Sequence, residues 1–149
     1  MGATIKTLRE QAVESNKISL GIIDNFSQYL TEKGLVKKTI RNHVYNIEFL
    51  LESLNRYADS KDDIKLISQA DSGDLSYFSS SFFPRKATWA SSNAAKKNIA
   101  SFKKFFSWLY ETNQIDKDDY QDIIDTIKEE TSYWIESTGY EDDDSWGWG

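Results

Sequence analysis

The sequence predicts an all-α protein, and three observations carry that expectation. A single proline, Pro84, interrupts 149 residues, apolar residues recur at spacings of three and four in almost every segment, and no alternating run is long enough to propose a sheet. The length fits one domain with a real core, but not two well-formed ones. The expected division is a helical domain over residues 1–135 followed by an acidic Trp/Gly tail over 136–149.

Taken in order, residues 4–14 carry Ile5, Leu8, Ala12 and Val13 and read as a short docking helix. A separate helix over 18–33 places Ile22, Ile23, Phe26 and Leu30 on one face, and Gly34 suits the left-handed turn that stops it. A long helix over about 37–57 has Ile40, Val44, Ile47, Leu51, Leu54 and Ala58 on its buried stripe. At about 100° per residue, Lys38, Asn42 and Tyr45 fall opposite that stripe with Arg41 at its flank. Phe49 and Leu50 predict that the second half of this helix is covered on both sides, which leaves its first half free for a partner.

Residues 59–63 read as a polar loop, and Ile64, Leu66 and Ile67 as an apolar anchor. Asp71 and Ser72 cap a helix bearing Leu75, Phe78, Phe82 and Phe83, which Pro84 ends. Ser91 or Ser92 caps a second long helix, to about Thr112 or Asn113, with Ala95, Ile99, Phe102, Phe106 and Leu109 inward. Asn93, Lys97, Ser101 and Lys104 are expected opposite that stripe, with Lys96 and Lys103 at its margins. A last amphipathic helix over 117–135 is expected to dock on an outward Trp108 and on Phe105, and the polar, glycine-rich end to remain disordered.

Composition excludes several classes of function. There is no cysteine, so neither disulfides nor thiolate metal sites are available, and the single histidine, His43, lacks the partners that a metal site needs. No nucleophile–base pair, glycine-rich phosphate loop or metal-spaced cluster stands out, so neither a catalytic residue nor a cofactor is expected. No segment reads as a signal sequence or a membrane span, and a cytoplasmic protein is expected.

The net charge of −6 conceals a segregation. Residues 1–110 hold 16 Lys+Arg against 11 Asp+Glu, whereas residues 111–149 hold 2 against 13. From Leu75 to Tyr110 six basic residues, Arg85, Lys86, Lys96, Lys97, Lys103 and Lys104, meet no acidic one. A stretch of one sign on helix exteriors is the electrostatic footprint of a polyanion partner.

Two stretches, Leu35 to Leu50 and Lys96 to Ile115, resemble the second and fourth helices of the SAM-like core-binding domain of tyrosine recombinases, the phage integrases. In that family a Phe-x-x-Tyr-Leu helix precedes a Thr-led helix, and a later helix ends in a Phe-Phe-x-Trp-Leu phrase. Phe26, Tyr29 and Leu30, then Thr39, then Phe105, Phe106, Trp108 and Leu109 occupy those places here. The likeness spans about residues 18–116. It implies an orthogonal bundle of four core helices, to which this chain adds a C-terminal helix, lying on one side of double-stranded DNA. The faces it implies are Lys37, Lys38, Arg41, Asn42 and Tyr45 in one helix, and Asn93, Lys96, Lys97, Lys103 and Lys104 in the other. Arg85 and Lys86 extend this basic set.

The chain departs from the family at the chemistry. Recombinases cut with a nucleophilic tyrosine activated by arginines and a His-x-x-Arg pair in a catalytic domain. Here His43 is followed at the third position by Asn46, and the likeness ends near Asp116. The expectation is a non-catalytic DNA-binding protein associated with integration or recombination of a mobile element; if the chain is a fragment, its parent is a recombinase. Lysine and arginine would meet phosphates, and Asn42, Tyr45 and Asn93 base edges. The alternative is an adaptor on the same fold that binds a basic partner, or a recombinase, through the acidic end and its Trp146 and Trp148.

Overall fold

A computed structural model describes residues 7–56 and 58–139. Among them the chain is built from helices and loops with no strand. Four long helices, α1 (Leu8–Glu32), α2 (Lys37–Leu54), α5 (Ser92–Glu111) and α6 (Lys117–Glu136), enclose a shorter helical run of α3 (Ser72–Tyr77), a wide π turn (Phe78–Phe82) and α4 (Phe83–Lys86). The sequence-predicted tail from residue 140 onward, with Trp146 and Trp148, and the start of the first segment before Thr7 lie outside the described residues.

Local chemistry sets the helix ends. Thr7 and Glu10 form a reciprocal capping box at the start of α1, each side chain bonding the other's backbone N–H at 3.1 and 2.9 Å. Gly34, at φ +87°, closes that helix by letting the Leu35 N–H reach the Leu30 carbonyl. Asn113 does the same after α5, at φ +61°, with the Gln114 N–H on the Leu109 carbonyl. Ser91, not Ser92, caps α5 by accepting the Ala94 N–H, and Asp116 caps α6 by accepting that of Asp119.

Two boundaries differ from the sequence expectation. Residues 8–32 form one uninterrupted helix instead of a docking helix followed by a second one. The polar stretch that suggested a break has partners of its own: Ser15 Oγ donates to the Lys65 carbonyl and Asn16 Oδ1 accepts from Asn55 Nδ2. Nor does Pro84 end the third helical run, which continues to Lys86. The π turn carries the Phe83 N–H back to the Phe78 carbonyl, and Pro84 then falls in the first turn of α4, where its missing N–H is tolerated.

The link from α2 to α3 is tied to the helices on either side. Asn55 accepts from the Lys65 N–H at 2.7 Å and donates to its carbonyl at 2.9 Å, and fully buried Ser19 on α1 accepts the Ile67 N–H at 2.9 Å. Further on, Lys65 Nζ bridges Asp71 and Asp74 at 3.0 and 2.8 Å. Although partial burial opposes its charge, these two carboxylates hold the Lys65 ammonium above its ordinary pKa.

The buried side chains form one cluster running from Ile23 in α1 to Trp134 in α6. Phe49 on α2 supplies a hinge of this core, with ring centroids 5.6, 5.4 and 5.9 Å from Phe78, Phe82 and Phe83. The second half of α2 is thus covered on both sides, as its sequence predicts. Trp108 is a correction: it is buried against Phe26 at 5.5 Å and Tyr29 at 6.2 Å on α1, and does not form the dock for α6. The last helix packs instead on α5 and α3, with Tyr120 stacked on Tyr110 at 4.6 Å and Ser76 Oγ donating to Glu130. Phe105 is likewise turned toward Phe26, at 5.1 Å.

Replacing Trp108 with alanine should therefore open a cavity between α5 and α1 and cost about 3–5 kcal/mol. Tyr133→Ala, at a position 60% exposed on α6, should move stability by no more than about 0.5 kcal/mol. Urea denaturation of the two variants checks both; similar losses from the two would contradict this placement of Trp108.

Candidate nucleic-acid interface

The first half of α2 and the first half of α5 lie against each other, and they meet on polar residues. Ser101, fully buried, receives a hydrogen bond from Asn46 Nδ2 at 3.0 Å and lies 2.8 Å from His43 Nδ1. With Asn46 donating into the oxygen, the Ser101 hydroxyl hydrogen is left for His43 Nδ1, and a neutral imidazole satisfies all three groups. Burial, and then the positive charge of nearby Lys104, hold the His43 pKa below the ordinary histidine value, which favours that neutral form.

This crossing corrects one sequence expectation. Ser101 falls opposite the apolar stripe of α5 on a helical wheel, yet it faces α2 and not solvent. At its C-terminal end the same side of α5 carries Trp108, which α1 covers. Opposite the stripe, Asn93, Lys97 and Lys104 are exposed, whereas Ser101 and Trp108 are covered.

Above the crossing the two helices diverge into a groove of about 620 Å³. Four of the sequence-predicted site residues line it together: Asn42 and Tyr45 from α2, Asn93 and Lys97 from α5. Lys104 lies one further turn pair along α5 from Lys97 and is close enough to His43 to act on its charge. Lys37, Lys38 and Arg41 are exposed on α2 outside the groove, and Lys96 and Lys103 are exposed on α5 about a third of a turn round from Lys97. None of these lysines, nor Arg41, forms an ion pair among the described residues.

Arg85 and Lys86 stand apart from the groove on the last turn of α4. Arg85 is occupied locally, donating to the Ser81 carbonyl and hydroxyl at 3.0 and 3.1 Å and to Tyr77 Oη at 3.4 Å. Lys86 is exposed.

Sequence reasoning did not select Trp89 or Asn98, and both line the groove. Trp89 comes from the loop after α4 and packs on Tyr45 and Phe49 at 5.9 and 5.4 Å. Its signal was a tryptophan in a polar loop between two helices, a residue that needs an apolar support to stay there. Asn98 gave a fainter one: an amide on the edge of the α5 stripe, near Ala94 and Ser101, whose small side chains permit close approach of another helix.

Compared with known protein families, curated proteins and solved structures, the chain matches none. Among the described residues no helix is long and apolar enough to cross a membrane.

The neutral state of His43 gives the site a pH signature. Its pKa is depressed on folding, so its contribution is present above the unfolded value, about 6.5, and is lost as pH falls through the folded value. Wild-type stability to urea should decline between pH 7 and pH 5.5, where His43 is the one histidine to titrate. In His43→Gln the decline should be largely absent; parallel pH profiles for the two proteins would contradict it.

Proposed function

We propose that this protein binds double-stranded DNA without cutting it, using the paired outer surfaces of α2 and α5. The single observation that carries the reading is their juxtaposition: Asn42 and Tyr45 on one helix and Asn93 and Lys97 on the other face one groove, with further unpaired cations on both rims. Exposed lysine and arginine free of carboxylates are suited to displacing the counterions condensed on a phosphate backbone. Carboxamide and phenol groups between them are suited to base edges.

The resemblance to the core-binding domain of tyrosine recombinases supports the same surfaces, and the process it suggests is integration or recombination of a mobile element. On that reading the fold is a SAM-like bundle in which α1, α2, the α3–α4 run and α5 are the four core helices and α6 is the addition. The proposed role is occupancy of a site or contact with a recombinase.

Two features of the charge distribution fit this role. The acidic residues of α6 sit on the helix that packs behind α5, and α6 does not line the groove. A polyanion approaching α2 and α5 therefore meets the basic part of the chain, despite the overall charge of −6.

A salt titration on random-sequence duplex DNA tests the reading. Binding should weaken steeply with salt, with a slope of about −0.9 per phosphate neutralised. Joint replacement of Lys38, Arg41, Lys97 and Lys104 by glutamine should flatten that slope by up to about 3 to 4. Undiminished binding by the quadruple variant would exclude these helices as the contact surface. Negligible binding by the wild type at every salt concentration would favour the adaptor alternative.

A further inference from the structure

Asn98 lies on the floor of the groove, 5% exposed, and its carboxamide has no hydrogen-bond partner among the described residues. Its amide oxygen and nitrogen are not wholly enclosed, so they open on the groove. What it retains is an adjacent donor and acceptor directed at whatever enters. Asn42 and Asn93, on opposite walls, also keep their amides unengaged. Meanwhile Asn46 and His43 are committed to Ser101 and form a fixed base to the cavity.

The end of the groove toward Trp89 is aromatic. Tyr45 and Trp89 are 50% and 46% exposed, with ring centroids 5.9 Å apart. Trp89 is supported from beneath by Phe49 at 5.4 Å and Phe83 at 6.3 Å, so the ledge is seated on the core. A volume of about 620 Å³ is ample for a single planar ring system with its sugar.

A flat π surface, neighbouring amide donors and acceptors, and one cation are what a nucleobase carrying a phosphate requires. We infer that the α2–α5 groove receives one unstacked nucleobase: the ring rests on Trp89, whose plane is tilted 47° from that of neighbouring Tyr45, its edge meets Asn98 with Asn42 or Asn93, and its phosphate meets Lys97. A carboxamide complements the N6/N7 edge of adenine, so adenine is the preferred base. This inference rests on the reading of α2 and α5 as a nucleic-acid face, and it narrows the substrate to DNA with an extrahelical or unpaired base. Paired bases keep their faces stacked within the duplex and cannot use the aromatic ledge.

Three labelled duplexes of one sequence, compared by fluorescence anisotropy, provide the test: fully paired, with one extrahelical adenine, and with an extrahelical abasic residue at the same place. The adenine bulge should bind roughly tenfold more tightly than either of the others, about 1.4 kcal/mol. Asn98→Ala and Trp89→Ala should each bring the three affinities together. Trp89 is half exposed, so its variant keeps the comparison readable if Asn98→Ala fails to fold.

Equal affinities for the adenine and abasic bulges, with paired duplex still bound, overturn the base site and leave the duplex-binding face standing. Adenosine monophosphate provides the second arm, followed by NMR of the Asn98 side-chain amide. If no duplex binds but the mononucleotide shifts that resonance, the pocket stands with a free nucleotide as occupant and the duplex reading falls. If neither ligand has an effect, both fall.

Discussion

One buried hydroxyl fixes the crossing of α2 and α5. Ser101 is small enough to let the helices approach and polar enough to engage both His43 and Asn46 across the interface. A larger apolar residue there would push α2 outward and strand two polar side chains, whereas glycine or alanine would leave them unpaired. The groove opens directly beside this contact. Its depth, its floor and the relative positions of the two basic helices all follow from where Ser101 sits.

The aromatic core supports the same arrangement from the other side. Phe49 faces away from the α2 stripe, yet it is enclosed by Phe78, Phe82 and Phe83 because the α3–α4 run passes over it. The π turn is part of how that run achieves this: it advances the phase of the helix so that Phe78, Phe82 and Phe83 are all buried. The loop leaving α4 then places Trp89 on Phe49 and alongside Tyr45. Hydrophobic packing thus sets one wall of the groove, and hydrogen bonding sets its floor.

Much of the local architecture was legible because short-range rules decide it. The 3.6-residue period of α2, α5 and α6 is written in Ile40 to Leu54, Ala95 to Leu109 and Tyr120 to Trp134. Gly34, Asn113, Ser91 and Asp116 mark their ends by conformational freedom or by capping. The two misplaced boundaries arose where a local signal met a long-range partner. Polar residues 14–17 looked like a loop until the α2–α3 link supplied acceptors and donors, and Pro84 looked like a stop until the π turn left no bond for it to break.

By itself the sequence determined that the chain is helical, where α2, α5 and α6 lie, and that positive charge gathers on the first two of these while negative charge gathers at the end. It also placed Asn42, Tyr45, Asn93 and Lys97 on outward surfaces of α2 and α5. Only the tertiary structure decided that these four share a groove, that Ser101 is interior, that Trp108 packs on α1, and that Trp89 and Asn98 complete the cavity. The physical reason is that a helical wheel fixes a direction about one axis, whereas burial and proximity depend on which other helix lies in that direction, a matter settled by the packing of the whole chain.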